Sequence, residues 1–222
     1  MSFDSTSRLL YNAITVFFLT GDTMEIKDKL IVGIAGKMGS GKDSVASFLH
    51  STRGYTVVRF ADALKAACCA IYGWRIADLE NLEFKMTVDP FWGTTPRVIL
   101  QKFGTEACRN VLDKQIWVRC LERRIRDSKA KRFVIPDVRF INEAQAVKDW
   151  GGSLIRVERP GYTPPGLTPE QAGHTSETEL DAFTDWSAGI MNDGDLSKLE
   201  DGTALVAKIL ELNVNRTTKT SS

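Results

Sequence analysis

Short apolar runs alternate with helical patterns along most of this chain of 222 residues. The runs are rich in β-branched and aromatic side chains and lie at residues 30–34, 55–60, 133–137, 154–157 and 187–191. Because short apolar runs between turn residues are typical of strands buried in a parallel sheet, they predict five strands. Apolar residues recur at helical spacing after residues 42 and 61 and over residues 96–112, 114–127 and 199–212. The alternation predicts an α/β fold of three layers, in which helices flank a central, mostly parallel five-stranded sheet.

The first apolar run leads directly into the sequence GKMGSGKDS at residues 36–44. Glycines allow a tight turn and bring backbone N–H groups close to a polyphosphate. A helix that begins near Lys42 points the positive end of its dipole at the same anion, and the lysine adds a charge. The strand, loop and helix therefore predict a P-loop that binds a nucleotide. Its predicted binding residues are Gly36, Lys37, Gly39, Ser40, Gly41, Lys42, Asp43 and Ser44.

The loop departs from the pattern G-x-x-x-x-G-K-[ST], in which the last hydroxyl binds Mg²⁺. Asp43 stands at that position, and the hydroxyl follows one residue later, at Ser44. Asp43 could reach the metal through a water molecule, or Ser44 could take over the contact. The sequence leaves both possibilities open.

Composition limits the class of partner. The chain has 29 basic and 28 acidic residues, which argues against a general binder of nucleic acid or of a membrane surface and favours a small partner. Its four cysteines show no C-x-x-C spacing, and only two histidines are present, which argues against a structural zinc site.

The two ends of the chain carry separate expectations. Residues 9–20 are apolar but too few to span a bilayer, and Met24 stands just before the first strand. Residues 1–23 are interpreted as an N-terminal extension or as a helix packed on the domain, and both interpretations remain open. Residues 24–213 are expected to form a single domain, followed by a disordered polar tail at residues 214–222.

Polar residues follow two of the predicted strands, where α/β folds commonly bind ligands. Asp62 and Lys65 come after the second strand, although Asp62 could instead cap the next helix. Asp137 and Arg139 come at the end of the third. Asp137 could organise Mg²⁺ or hold Arg139 in place, and the planar fork of Arg139 suits a phosphate.

A long loop and a turn complete the candidates. Residues 162–173 contain three prolines and two glycines, with Arg159 before them and His174 and Glu177 after them. This arrangement predicts a lid over phosphates at about residues 159–177, the alternative being simple disorder. Asn192 follows the fifth strand, where it could contact the nucleotide base or form an ordinary turn.

Taken together, these motifs resemble the bacteriophage-type deoxynucleoside monophosphate kinases. The matching segments run in order through most of residues 30–195. They are GKMGSGKDS at 36–44, RFADALK at 59–65, PRVILQKFGTEACR at 96–109, WVR at 117–119, PDVRFINEA at 136–144, RVERPG at 156–161, HTSE at 174–177 and NDG at 192–194. Residues 74–94 do not align and are interpreted as an irregular excursion between helices.

The resemblance implies a P-loop kinase fold with a helical acceptor-binding region at about residues 61–127. It also implies transfer of a phosphoryl group from ATP, with Mg²⁺, to the 5′-phosphate of a deoxynucleoside monophosphate. The enzyme would work in the cytoplasm, that of the host if the source is a phage. Relatives in this family often associate as dimers, so a homodimer is a further expectation. Phosphoryl transfer requires mainly positioning and charge neutralisation, which fits the many cations.

The resemblance also suggests roles for individual residues. Lys42 would bind the ATP phosphates, and Asp43, Ser44 and Asp137 are the metal candidates. Arg139 would hold the acceptor phosphate together with Arg97 and Lys65. Arg159, which lies on the predicted lid, would stabilise the charge of the transition state. Gln101 could read a base edge, because an amide both donates and accepts. The full set of substrate-binding candidates is Asp62, Lys65, Arg97, Gln101, Arg109, Asp137, Arg139, His174 and Glu177.

Two alternatives remain at this stage. A P-loop kinase of another small phosphorylated acceptor, of the dephospho-coenzyme A or phosphomevalonate type, would share the P-loop and lid and differ in the acceptor pocket. A non-catalytic nucleotide-binding regulatory module would need no second phosphate site. The cations outside the P-loop argue against the module.

Overall fold

The computed structural model describes residues 25–219, and the side chains of residues 25–212. The extension predicted at residues 1–23 lies outside the described residues. Among the described residues, every helix is too short or too polar to span a bilayer.

Five parallel strands form one sheet, which confirms the predicted fold class. In sheet order the strands run β2, β3, β1, β4 and β5, and every neighbouring pair is parallel. The strands are Leu30–Ala35 (β1), Thr56–Val57 (β2), Arg132–Val138 (β3), Ser153–Glu158 (β4) and Ala188–Met191 (β5). β2 is shorter than the run at residues 55–60, because the backbone N–H groups of Phe60 and Ala61 donate to the Asp137 carboxylate instead of to a neighbouring strand.

Helices cover both faces of the sheet. They are Lys42–Arg53 (α1), Ala61–Tyr72 (α2), Leu82–Met86 (α3), Pro96–Gln101 (α4), Ile116–Asp127 (α5), Ile141–Asp149 (α6), Pro169–Ala172 (α7), Thr175–Thr178 (α8) and Leu196–Lys219 (α9), with a π-helix at Lys102–Leu112 and 3₁₀ turns at Ile26–Asp28 and Asp78–Glu80. α1 and α9 pack on one face, while α2, α5, α6 and the π-helix pack on the other. The molecule therefore has the three layers that the sequence predicts.

The middle of β1 and of β3 is apolar because both faces of these strands are buried. In β1, Ile31 packs into the core under α5 and α6, and the next residue, Val32, packs into the core under α1 and α9. Phe133 and Val134 of β3 divide between the same two cores. Side chains alternate along a strand, so a sheet covered by helices on both sides needs an unbroken apolar run.

The helical run at residues 96–112 differs from its prediction. α4 ends at Gln101, and the chain continues as a π-helix in which each N–H bonds five residues back. The wider turn changes which side chains face inward, and Val111 and Leu112, expected on the apolar stripe, are 77% and 70% exposed. Gly104 allows the close approach of α2, because a Cβ there would lie 2.6 Å from Leu64 Cδ2.

Other element bounds also differ from the sequence predictions. α9 begins three residues before position 199 and continues past 212, into part of the segment predicted as a disordered tail. No proline or glycine follows Gly202 to end that helix. α6 was not predicted at all. The excursion at residues 74–94 contains a 3₁₀ turn, the short helix α3 and one antiparallel bridge between Asp89 and Thr94.

Leu154 of β4 provides a test of this core. It is fully buried, so Leu154→Ala should lower the free energy of unfolding by about 2–5 kcal/mol through lost contacts and a cavity. The matched control is Leu205→Ala on the outer face of α9, where the leucine is 61% exposed and the expected change is within about 0.5 kcal/mol. Urea denaturation measures both, and equal losses would contradict the assignment of Leu154 to the core.

Candidate active site

The P-loop leaves the carboxyl end of β1 and ends at the first turn of α1. Gly36, Gly39 and Gly41 all have positive φ values, of 151°, 76° and 102°. A Cβ on Gly36 would lie 2.2 Å from the carbonyl oxygen of Val157, and one on Gly39 would lie 2.3 Å from Cε1 of Tyr162. Only glycine fits at these two positions, because both the backbone conformation and the neighbouring atoms exclude a side chain.

Two polar side chains of this loop, Lys42 and Ser40, are buried. Lys42 is 7% exposed, and its Nζ donates to the carbonyl oxygen of Lys37 at 2.7 Å. Burial, followed by the positive charge of Arg139, lowers the pKa of Lys42 to about 8. Ser40 is buried as well, and its Oγ has no hydrogen-bond partner among the described residues. A buried lysine short of negative charge and an unpartnered hydroxyl are both features of a site that binds an anion.

Asp43 and Ser44 lie in different surroundings. The Asp43 carboxylate is exposed and pairs with Arg59, with 3.0 Å between Oδ1 and Nη2. Asp43 borders a cavity, whereas Ser44 is exposed and does not line either of the two cavities described below. Arg59 was not among the candidate site residues, although it begins the matching segment RFADALK at residues 59–65.

Two cavities meet at the P-loop. The lid cavity has a volume of about 390 Å³ and lies between the P-loop, the end of β4 and the segment after Arg159. The helix cavity has a volume of about 310 Å³ and lies between the P-loop, α2, α4 and the π-helix. Met38, Arg139, Ser176 and Glu177 border both cavities.

Glu177 occupies the junction of the two cavities. Its Oε1 accepts a hydrogen bond from Arg139 and lies 3.6 Å from Nη2 of Arg97, and its Oε2 accepts from the backbone N–H of Met38 at 3.3 Å. Burial alone would raise the pKa of Glu177. The positive charges of Arg139, and then of Arg97 and Lys42, hold that pKa below its usual value instead. The carboxylate is therefore a buried anion held by cations and by a P-loop amide.

The two aspartate candidates have structural partners. Asp137 accepts from the N–H groups of Phe60 at 3.1 Å and Ala61 at 3.0 Å, and burial raises the pKa of Asp137 despite these bonds. Asp137 thereby joins the end of β3 to the start of α2, although it also lines the helix cavity. Asp62 does not cap α2. Its carboxylate accepts from the Arg59 N–H at 3.0 Å and pairs with Arg124, and it lines neither cavity.

Several candidates line the helix cavity. Lys65 forms an ion pair with Glu80 at 2.6 Å. The Nε2 of Gln101 and the Nε of Arg97 are buried, with no hydrogen-bond partner among the described residues. Lys85, whose pKa is lowered by burial and by the charge of Lys65, lines the same cavity. Sequence reasoning missed Lys85 and Glu80, because they lie in the excursion at residues 74–94, which shows no periodicity and no motif.

Arg109 borders the helix cavity but makes its contacts with the protein. It is 7% exposed, and its Nη1 lies 3.1 Å from the Glu143 carboxylate. Its guanidinium also donates to Asn142 and lies 3.7 Å from the ring centre of Phe140. Glu143 in turn accepts from the N–H of Arg139 at 2.9 Å. The Arg109–Glu143 pair therefore fixes the backbone that carries Arg139.

The lid segment lies against the P-loop. Nη1 of Arg159 donates to the carbonyl oxygen of Gly39 at 3.4 Å, and its guanidinium lies 4.1 Å from the ring centre of Tyr162. The segment contains the short helices α7 and α8, which the sequence did not predict. His174 caps α8 by accepting from the N–H of Ser176 at 3.2 Å, and it lines neither cavity.

Asn192 supports the P-loop from its other side. Its Nδ2 donates to the carbonyl oxygen of Ser40 at 2.9 Å, and its backbone N–H donates to Glu158 at 2.7 Å. The amide is thus held beside the loop by the end of β4. A contact between Asn192 and the nucleotide base stays a prediction.

Comparisons with known proteins point to one family. Residues 92–202 match the family model for deoxynucleotide monophosphate kinase. The chain is 35% identical over 178 residues to a "Putative deoxynucleotide monophosphate kinase" of Acanthamoeba polyphaga mimivirus, with 73% of this chain and 88% of the viral protein aligned. It is 28% identical over 183 residues to an uncharacterized protein of Ictalurid herpesvirus 1 (strain Auburn), covering 81% and 71% of the two chains.

A solved structure shares the fold. The crystal structure of TT1252 from Thermus thermophilus superimposes with a TM-score of 0.52 at 23% identity, covering 83% of this chain and 98% of the other. Similarity at this level supports the three-layer α/β architecture and nothing more specific.

The Arg109–Glu143 pair yields a prediction about stability. Arg109→Met should lower the free energy of unfolding by about 3–5 kcal/mol, because it leaves Glu143 buried without its counterion. The matched control, Arg123→Met on α5, removes an arginine that is 86% exposed and should change stability by less than about 0.5 kcal/mol. Urea denaturation provides both values. If Arg109 served only to bind substrate, the two variants would be equally stable.

Proposed function

The chain belongs to the deoxynucleotide monophosphate kinase family, and we propose that it transfers the γ-phosphoryl group of ATP to the 5′-phosphate of a deoxynucleoside monophosphate. As a member of this family it is a kinase, and the proposal concerns its donor and its acceptor. The observation that carries the proposal is the meeting of two cavities at the P-loop, with Arg139 bordering both of them and Lys42 and Arg97 lining the helix cavity. A transfer between two phosphates needs two binding spaces that share one cationic centre.

The P-loop is the proposed site of the ATP phosphates. Its backbone amides, the Lys42 ammonium and the Ser40 hydroxyl would bind the phosphate oxygens. In support, Ser40 Oγ is buried without a partner among the described residues, and the positive φ values of the loop bring its backbone close to a ligand. The first turn of α1 has no side-chain cap, so its N–H groups can serve the same anion.

The residues around the loop also fit Mg²⁺. The described residues contain no group of three side chains suited to holding a metal, but Mg²⁺ usually needs only one or two carboxylates besides water and substrate phosphates. Asp43, which is exposed beside the helix cavity, would hold it through water. Both oxygens of Asp137 already accept backbone hydrogen bonds and Ser44 faces away from the cavities, which favours Asp43. Magnesium bound there would neutralise charge on the reacting phosphates.

The helix cavity is the proposed acceptor site. Arg97 and Arg139 would hold the acceptor phosphate next to the P-loop, and Lys65 would lie deeper in the cavity. Leu64, Leu100 and Trp117 provide apolar walls suited to a base and a sugar. The unpartnered Nε2 of Gln101 supports a role in reading a base edge, since a base offers acceptors at that depth.

The proposed chemistry needs no nucleophile from the protein. An oxygen of the acceptor phosphate forms a bond to the γ-phosphorus of ATP while the bond from that phosphorus to the β–γ bridging oxygen breaks, which gives ADP and a deoxynucleoside diphosphate. Lys42, Arg139 and Arg159 would keep the two phosphates aligned and stabilise the charge that shifts between them. The contact of Arg159 with the carbonyl of Gly39 supports its placement over the P-loop.

Two further expectations belong to this proposal. The cytoplasm, which supplies ATP and deoxynucleotides, is the proposed place of action. A homodimer stays a prediction, and the exposed side chains of Val111 and Leu112 offer apolar surface for it.

The acceptor is tested by measuring ADP release from ATP and Mg²⁺ in the presence of dAMP, dGMP, dCMP, dTMP and the matching ribonucleotides. We expect turnover with at least one deoxynucleotide. Arg139→Gln should reduce it by about 10³-fold, because it removes a cation from the shared centre. The control, Arg123→Gln, should retain full activity. Activity only on dephospho-coenzyme A or phosphomevalonate, included in the panel, would overturn the acceptor assignment, and slow ATP hydrolysis alone would favour a regulatory module.

The low pKa of Lys42 predicts proton uptake when ATP binds. A lysine with a pKa of about 8 is largely neutral at pH 9, and anionic phosphates beside it would raise its pKa and restore the proton. Calorimetry of ATP binding in buffers of different ionisation enthalpy measures the protons taken up per ATP bound. This number should rise from about 0.1 at pH 7 to nearly one at pH 9. Lys42→Arg, whose guanidinium keeps its charge, is the control and should show no such rise. Uptake in the wild type that stays flat over this range would contradict the assignment.

A further inference from the structure

Glu177 places a carboxylate in the most cationic part of the molecule. Its side chain is 6% exposed and lies where the lid cavity and the helix cavity meet. One oxygen faces Arg139 and Arg97, and the other accepts from the P-loop N–H of Met38. The carboxylate thus joins the P-loop to both arginines.

These three donors are also the ones that a substrate phosphate would use. The Met38 amide belongs to the P-loop, and Arg97 and Arg139 are the residues proposed to hold the acceptor phosphate. Carboxylates and phosphates accept charge-assisted hydrogen bonds from guanidinium groups in the same geometry. A phosphate that binds these donors therefore cannot bind while the Glu177 carboxylate occupies them.

The carboxylate does not satisfy all of the donors around it. The 3.6 Å between Arg97 Nη2 and Glu177 is longer than a hydrogen bond, and Nη1 of Arg97 reaches only the sulfur of Met38, at 3.3 Å. Nε of Arg97 is buried with no partner among the described residues. A phosphate monoester has three terminal oxygens and carries up to two negative charges, so it can bond more of these donors than a carboxylate can.

The segment that carries Glu177 can leave without unravelling a long element. α8 has only four residues, with turns on either side. Besides the Glu177 side chain, α8 is held through the carbonyl oxygens of Ser176, which accepts from Arg139 at 3.1 Å, and of Glu177, which accepts from Lys37 at 2.5 Å. The residues just after α8 are anchored more firmly, because Glu179 accepts from the N–H of Ile141 at 2.9 Å and Leu180 packs against the core. Lys37 also pairs with Asp181, but both side chains are about half exposed, and such pairs contribute little.

We propose that Glu177 competes with the acceptor phosphate for Arg97 and Arg139, so that binding of the phosphate displaces the carboxylate and releases α8 from the P-loop. The inference rests on the proposed function only in assigning these arginines to the acceptor phosphate. It makes Glu177 a determinant of specificity. A nucleoside without a 5′-phosphate has no group that can displace the carboxylate, whereas a phosphate dianion has both the charge and the geometry to do so.

Calorimetric titration with inorganic phosphate tests the competition directly. Glu177→Gln keeps the shape of the side chain and removes its charge. If the carboxylate occupies the site about 90% of the time in the wild type, the variant should bind phosphate with a Kd about tenfold lower. The matched control is Glu170→Gln, which removes the same charge from an exposed position on α7 of the lid segment and should leave the Kd unchanged. An unchanged or higher Kd in Glu177→Gln would overturn the proposal and leave Glu177 as a residue that positions the arginines.

A double variant shows where the phosphate binds. Adding Arg97→Gln to Glu177→Gln should cancel the gain in affinity, because it removes a donor on the acceptor side. If the gain survives, phosphate binds in the P-loop alone, and Glu177 does not occupy the place of the acceptor phosphate.

Hydrogen exchange on the wild-type protein keeps the proposal testable if Glu177→Gln does not fold. Inorganic phosphate should increase amide exchange in the peptide that covers residues 174–181 and decrease it in the P-loop. Unchanged or slower exchange in residues 174–181 would overturn the proposal. None of these measurements depends on catalysis, so tighter phosphate binding by Glu177→Gln without turnover of any deoxynucleotide would refute the proposed function and leave the competition in place.

Discussion

The parallel pairing of β1 with β3 and β4 is the constraint on which the rest of the structure depends. Ala35, the last residue of β1, pairs with Val138 on one side and with Arg156 on the other. Because parallel strands end at the same edge of a sheet, the P-loop, Arg139 and Arg159 all begin within a few residues of that edge. Buried cores on both faces fix the register, since a shift of one residue would reverse every side chain. The sheet therefore fixes where the P-loop, Arg139 and Arg159 start.

Backbone packing at that edge is as specific as the pairing. The Cα of Gly36 lies so close to the carbonyl of Val157 that no side chain fits between them, and Asn192 bonds the carbonyl of Ser40 from beyond β4. On the other side, Asp137 joins the end of β3 to the first turn of α2. The loop is thus held by contacts from the ends of β4 and β5, while the end of β3 holds the start of α2.

Charge at the site is balanced by the protein itself. Burial and the positive charge of Arg139 lower the pKa of Lys42, and the Glu177 carboxylate lies beside Arg97 and Arg139. A cluster of buried cations without an anion would be strongly unfavourable, so some negative group must lie there. If the proposed function is correct, a carboxylate and a phosphate take that place in turn, and the same cations serve both folding and substrate binding.

The sheet, the P-loop and the family could be predicted from local patterns of residues. Apolar runs reveal buried strands because both faces of each strand are covered, and the glycines with Lys42 form a local motif whose geometry follows from residues next to each other in the chain. The order of the segments from residue 36 to residue 194 was also visible, since it is a property of the chain alone.

Which of the candidate side chains lie together depends on the packing of the folded chain. Arg109 and Arg139 look alike in the sequence, yet Arg109 is bonded to Glu143 and stacked on Phe140, whereas Arg139 points to the junction of the cavities. Lys85 lies in a stretch without periodicity, and it reaches the helix cavity because α3 packs beside α4. Glu177 meets Met38 across 139 residues of chain. Contacts over such distances depend on how the helices pack on the sheet, and no local pattern of residues encodes that packing.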